Sequence, residues 1–455
     1  LGTELLAPLD LAFWHFESDA HPMHLGALAV FSPSPGVAPR DILELLGARA
    51  AAIPRLRMRV RDVLLPVGGA AWSLDKDFDV HRHVRRLVLA EGDFMEQATG
   101  LAGELMEQPL GRGLPPWQMY LIGGADDGPF AVLVKLHHAL ADGMRAVAIG
   151  AGIFDEIAAA TGGAGAARRR APVPPRSWLP DPREVVGMAL GRIGEVGRAL
   201  GVGASVVRAG RLDLRGSTAL TAPSSGTRRL ATAELDAAAV QRIRRAEGGT
   251  ANDVLLAVVA GALRRWMLER GEPLPAADPR ALVPVSRRRP GGAAVSGNRL
   301  SAYLLGLPVG EPDARRRLCA VRTAMDRNKA AGPLKGAGAV AVLADQLPPL
   351  AHRLGAPLAA GAARVLFDVL VTSVPLPRSA LSLGGCPLRA VYPMAPLARG
   401  QSLAVALATY GGRVQVGLVA DGKALGDLDR LAAAVHEEFR ELHTLIVSPE
   451  PVTRR

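Results

Sequence analysis

Phe130-Ala-Val-Leu-Val-Lys-Leu-His-His-Ala-Leu-Ala-Asp-Gly143 is the stretch on which the fold of this 455-residue chain turns. Its first seven residues are apolar except for Lys135. A continuous apolar run without alternation reads as a strand in a sheet covered on both faces. Downstream, Met144–Ile157 is apolar at helical intervals and reads as a buried helix. His137 and His138 therefore fall where a strand ends, and Asp142-Gly143 where the chain turns into a helix. Loops at strand ends carry chemistry because a rigid scaffold holds them.

The residue types suit proton transfer. A neutral imidazole, with an ordinary pKa of about 6.5, can take a proton from an alcohol when its ring and tautomer are held. A carboxylate four residues after His138, Asp142, can shape the turn or fix an arginine. Gly143 adds φ freedom and lets a substrate approach the backbone. The same spacing is also met by two core histidines followed by a capping Asp. A metal site is a third reading. Adjacent strand residues point to opposite faces, so His137 and His138 cannot both meet one ion. No Cys or Glu nearby completes a tetrahedral set.

Composition narrows the class. The chain is 49% hydrophobic and only 4% aromatic, which is enough apolar material for two or three cored domains. Its formal charge is +11, carried mostly by arginines spread along the chain. That balance suits anionic lipid or a phosphorylated co-substrate. Without a basic-aromatic pattern or a nucleic-acid motif, it does not point to nucleic acid. Cys319 and Cys386 are too few for a disulfide framework and fit a reducing compartment. No signal peptide is read at the start. The longest clean apolar run, Val254–Leu263, is shorter than the roughly 20 residues a spanning helix needs. The expectation is a cytoplasmic protein, peripheral where it meets membrane.

Other blocks follow in order. Pro8-Leu9-Asp10 precedes Leu11-Ala-Phe-Trp14, with Asp10 expected as an N-cap. His21-Pro-Met-His24 leads into a strand over Leu25–Phe31. Pro109-Leu-Gly-Arg-Gly-Leu-Pro-Pro-Trp117 is a rigid brace beside the sheet. Thr161–Arg176 reads as a solvated linker, and Arg183–Leu212 alternates arginines with apolar residues. The latter is a crossover between domains whose pattern also suits an anionic lipid surface. Asn252-Asp253 opens a strongly apolar helix, with one of the two as its cap. Val283-Pro-Val-Ser286, Gly297-Asn298, Thr372-Ser373 and Val391-Tyr-Pro-Met394 complete the set.

His137-His138-Ala-Leu-Ala-Asp142-Gly143 resembles the His-His-x-x-x-Asp-Gly signature of the coenzyme A-dependent acyltransferase superfamily, the chloramphenicol acetyltransferase-like group. The remaining blocks resemble, nearly throughout and in order, its bacterial wax ester synthase/diacylglycerol acyltransferase branch. Gly111 and Pro116 depart from that branch's Asp and Leu, and Ser373 and Leu376 from its Asn and Gly. The resemblance implies an α/β (α+β) fold of two chloramphenicol acetyltransferase-like domains, each a mixed sheet with helices, with a tunnel between them. The division expected is 1–165 for the first domain, 166–227 for linker and crossover, and 228–455 for the second.

The activity implied is transfer of a fatty acyl group from acyl-coenzyme A to a long-chain alcohol or diacylglycerol, without a covalent acyl-enzyme. His138 is the expected general base, with His137 beside it and Asp142 and Gly143 shaping the loop. Gly143 N–H, Asn298 and Ser373 are candidate oxyanion donors. Acyl-coenzyme A is a co-substrate, and no cofactor or metal is expected. A membrane or lipid-droplet surface is the expected meeting place. Three alternatives stay open: an acyltransferase of this fold acting on another lipid or a secondary-metabolite alcohol, a condensation-type domain taking its acyl group from a carrier protein, and a non-enzymatic lipid-binding member.

Overall fold

The run that opens the signature, Phe130–His137, is a strand buried at every position. The protein is seen in a computed structural model that describes residues 4–64, 67–124, 128–140, 148–157, 219–286, 300–331 and 366–447. The first half contributes β1 (Glu4–Leu5), α1 (Pro8–Phe16), β2 (His24–Phe31), α2 (Pro39–Ala52), β3 (Met58–Asp62) and β4 (Ala70–Leu74). It continues with β5 (Val84–Val88), α3 (Phe94–Glu107), β6 (Trp117–Gly123) and β7 (Phe130–His137). The second half contributes β8 (Arg228–Asp236), α4 (Ala237–Glu247), α5 (Ala251–Glu269), β9 (Arg280–Ser286), β10 (Leu300–Gly306) and α6 (Ala314–Ala331). It ends with β11 (Val369–Val374), β12 (Ser382–Leu383), β13 (Cys386–Met394), β14 (Leu403–Tyr410), β15 (Arg413–Asp421) and α7 (Leu428–Val447).

Two six-stranded sheets organise these elements. One has the order β12-β13-β2-β7-β6-β5, the other β10-β9-β11-β14-β15-β8. Both are mixed: β5 runs parallel to β6, and β11 runs parallel to both β9 and β14. A small sheet, β1-β4-β3, stands apart.

β7 is apolar on both faces because both are covered. Val132, Val134 and Leu136 pack with α2 and Trp117. Ala131 and Leu133 pack with α3 and with residues of β8, β13, β14 and β15. That second cluster is the seam between the halves. Gly417 of β15 lies so close to β13 that a Cβ there would sit 1.9 Å from the Pro393 carbonyl oxygen. Only glycine permits that approach.

Three expectations are corrected. Residues 382–394 fall within the span assigned to a second domain, yet β12 and β13 complete the first sheet beside β2. Asp155 holds them there: its carboxylate accepts the Gly384 and Gly385 N–H groups and the Ser382 hydroxyl, and pairs with Arg49 at 2.6 Å. Asp10 is not an N-cap. Helix α1 starts at Pro8, so Ala7 is the cap and Asp10 is buried in the first turn. Proline at the first helical position fits because its missing N–H had no partner there in any case. Nor does Asn252 or Asp253 cap α5. Thr250 does, in a capping box: its hydroxyl accepts the Asp253 N–H at 3.2 Å, and the Asp253 carboxylate accepts the Thr250 N–H at 2.7 Å. Of the expected Met144–Ile157 helix only 148–157 is described, where helical residues 148–151 and 155–157 are separated by a turn; Arg183–Leu212 lies outside the described residues.

Candidate active site

β2 and β7 are antiparallel, and their register sets His24 opposite His137. Opposed residues share a face, so the two imidazoles lie side by side with centroids 6.2 Å apart. Glu17 follows the last residue of α1, and its carboxylate lies across both rings. Oε1 is 3.0 Å from His24 Nε2, and Oε2 is 3.5 Å from His137 Nε2. Both imidazoles are 1% exposed and Glu17 is 10% exposed. Trp14 of α1 closes the group edge-on to His137, at 5.0 Å between centroids.

Charge in this layer is settled by burial and by neighbours. Burial alone would raise the Glu17 carboxyl, but contacts from His137 and His24 outweigh it and hold the group far below the usual carboxylate range. Burial pushes His24 down to about 4, against the pull of Glu17. Near neutral pH, then, Glu17 is a carboxylate and His24 an uncharged imidazole. His137 Nδ1 accepts the Ala139 N–H at 3.0 Å. A neutral imidazole has one proton, so the partners assign it to Nε2, the nitrogen turned towards Glu17.

His138 is the first residue after β7, in the turn that follows it. It is half-buried where His137 is buried. Its backbone N–H donates to the Met23 carbonyl at 2.8 Å. Its ring stacks on Phe13 of α1, with centroids 3.8 Å apart and planes at 27°. Helix α1 thus meets both histidines, through Trp14 on one and Phe13 on the other.

Lys135 lies two residues back on the face of His137 and is 0% exposed. Nζ donates to the Leu105 carbonyl at 2.7 Å and to the Gln108 carbonyl, at the C-terminal end of α3. Carbonyls at a helix C-terminus lack intrahelical partners and carry the negative end of its dipole. Burial lowers the Lys135 ammonium to about 8, while the Glu17 charge works to raise it.

The other expected site residues divide. Asp142, Gly143 and Asn298 lie outside the described residues. Ser373, at the end of β11, donates its hydroxyl to Asn252 Oδ1 at 2.9 Å. That contact ties β11 to the first turn of α5 and engages the hydroxyl proton. Trp117 is fully buried, its Nε1–H on the Leu56 carbonyl at 2.6 Å, which is packing. Glu17, His24 and Lys135 were not anticipated as members of the site. Their only signal in the sequence was the His-Pro-Met-His block and one cation in an apolar strand. Cross-strand register, which brings them together, is not written locally.

Two mixed sheets joined through a shared seam define the acyltransferase–condensation class of fold. The first condensation domain of the CDA synthetase has it, with a TM-score of 0.60 at 18% identity over 99% of this chain and 97% of that one. So does the wax ester synthase/diacylglycerol acyltransferase from Marinobacter aquaeolei VT8, with a TM-score of 0.71 at 23% identity over 98% and 100%. Sequence goes further than fold. Residues 6–255 match the wax ester synthase/diacylglycerol acyltransferase catalytic domain, and residues 296–443 match the C-terminal domain of the same proteins. A probable diacylglycerol O-acyltransferase of Mycobacterium tuberculosis is 31% identical over 463 residues, covering 99% of this chain and 98% of that protein. The chain belongs to the wax ester synthase/diacylglycerol acyltransferase family.

Proposed function

We propose that this protein transfers a fatty acyl group from acyl-coenzyme A to the hydroxyl of a long-chain alcohol or diacylglycerol, giving a wax ester or triacylglycerol. The observation that carries the reading is His138. It is half-buried at the end of β7, held by its backbone and stacked on Phe13, in a chain of this family. His138 takes the alcohol proton as the oxygen attacks the thioester carbonyl. The new C–O bond forms, the C–S bond breaks, and the proton passes from the imidazolium to the leaving thiolate. No acyl-enzyme is required. Asp142 shapes the loop, and Gly143 N–H or Asn298 supports the oxyanion. Acyl-coenzyme A is a co-substrate, and no metal or further cofactor is assigned a step.

A thiol-release assay across acyl-coenzymes A and acceptors tests this. Turnover with long-chain alcohols or diacylglycerol supports it. Release only with unrelated alcohols would move the protein to another acceptor class, and no release with any acceptor would favour a lipid-binding role.

The second part of the proposal is place. Products of this reaction are insoluble in water, so enzyme and acceptor meet at a lipid surface, a membrane or droplet facing the cytoplasm. Among the described residues no helix is long and apolar enough to cross a membrane. The charge of +11 supports attraction to anionic lipid. Leu5, Leu64 and Val67 are exposed on or beside the β1-β4-β3 sheet, and Arg61 is exposed on β3. The His15 ring meets the Gly68 carbonyl at 3.2 Å and ties this hairpin to α1. Binding to anionic vesicles should weaken as salt rises and weaken again in Leu64→Asp. Sedimentation showing no binding at low salt would overturn the placement.

A further inference from the structure

The Glu17 carboxylate is buried and charged, and the chemistry above does not use it. An ion at such depth costs several kcal/mol unless its partners compensate. Two imidazoles on two different strands do so. What they hold in place leads directly to His138. His137 carries its proton on the nitrogen facing Glu17, which leaves Nδ1 free to accept the Ala139 N–H. The Leu140 N–H closes the same turn on the His137 carbonyl at 2.9 Å. His138 lies inside that turn. Its own N–H goes to Met23, the neighbour of His24. Both backbone anchors of His138 therefore adjoin a histidine that touches Glu17.

We propose that Glu17, together with His24, is a positioning residue of the acyl-transfer site. It holds His137 in the Nε2–H tautomer and, through the Ala139 N–H, sets the turn that presents His138 over Phe13. The inference rests on the reading of His138 as the base. Without the carboxylate, only the Ala139 N–H still favours the proton on Nε2, and the preference weakens. The other tautomer would set an Nδ1–H against the Ala139 N–H, two donors face to face, and the turn would shift. A misplacement of about 1 Å costs on the order of 100-fold in rate.

Three variants of the full chain test this. Glu17→Gln keeps an oxygen that can accept from His137 Nε2–H; Glu17→Ala keeps none; His24→Gln removes the second imidazole. Glu17→Ala should lose about 100-fold in kcat while KM for acyl-coenzyme A stays within about twofold. Glu17→Gln should recover at least half of that loss on a logarithmic scale, and His24→Gln should fall between. Imidazole 15N shifts, with His137 assigned through its loss in His137→Gln, report the tautomer. The wild type and Glu17→Gln should show a protonated Nε2, and Glu17→Ala a mixture.

Folded Glu17→Ala with kcat within twofold of wild type would overturn the proposal. Equal losses in the Ala and Gln variants with an unchanged His137 tautomer would also overturn it. Should Glu17→Ala fail to fold, Glu17→Gln and His24→Gln decide on the same two readings. His138→Ala run in parallel keeps the two readings apart. If it stays active, the base is wrongly assigned, whereas the tautomer result for Glu17 stands or falls by itself.

Discussion

β7 and β14 each occupy the fourth place in a sheet of six, and each is buried along nearly its whole length. β14 stays apolar through Ala408 and returns directly as β15, with Gly411 and Gly412 at φ +57° and +77° between them. Positive φ at both central residues is what a two-residue hairpin of matching twist needs. β7 ends instead in Lys135 and His137, with His138 in the turn that follows. The buried ions differ in the same way. Arg317 on α6 and Glu438 on α7 pair directly, at 2% and 3% exposure, and Arg317 also donates to the Glu311 and Pro312 carbonyls. Apart from Arg317 Nε, which has no hydrogen-bond partner, that set is closed upon itself. The Glu17–His24–His137 set is nearly as buried, but it supports a neighbour, His138, that is only half-buried. A polar group built for stability turns its charges towards one another; one built for chemistry leaves a member within reach of solvent and substrate.

His138→Ala should break the comparison most severely. A general base contributes roughly 100- to 10,000-fold, so kcat in the thiol-release assay should fall by that factor with little change in melting temperature. Turnover near the wild-type rate in the folded variant would remove His138 from the mechanism.

Glu438→Ala attacks the closed set. Removing one partner of a buried ion pair leaves an uncompensated charge and costs about 3–5 kcal/mol. Urea denaturation should show that loss, while kcat below the new transition stays within about twofold of wild type. A small stability change would mean that water reaches Arg317.

Lys135→Met tests the ion next to the site. Burial holds the Lys135 pKa at about 8, below its ordinary 10.5. Between those values the unfolded chain binds the extra proton, so this group makes the wild type more stable as pH rises from 8 to 10.5. The gain has an upper bound of about 3 kcal/mol. The difference in unfolding free energy between wild type and Lys135→Met, followed across that window, should move in favour of the wild type. A flat difference would show that the ammonium keeps its charge on the α3 carbonyls.

Thr250→Ala should have the smallest effect, about 1 kcal/mol, by opening the capping box of α5. Because Asn252 in that first turn accepts from Ser373, a loss of activity larger than the loss of stability would connect the cap to the site.

Much of the fold was legible along the chain. β2, β7 and the start of α5 lie within a residue or a few of where apolar runs and helical spacing put them, because burial on one or both faces writes its period into local sequence. Helix starts were less legible. Asp10 and Asp253 are typical capping residues, yet each lies inside the first turn, where a carboxylate also favours the helix dipole. Composition cannot separate those two positions.

Sequence by itself determined that β7 is buried on both faces, that two histidines follow it, and which family the blocks belong to. These are properties of consecutive residues, and the physics behind them is local. Tertiary structure alone decided that β12 and β13 complete the first sheet, that His24 faces His137, and that Glu17 lies between them. It also decided that His137 is buried and His138 half-buried. β7 is covered on both faces, so how far each histidine is buried depends on what lies against it. That is set by α1, α3 and the second half of the chain, through contacts between residues far apart in sequence.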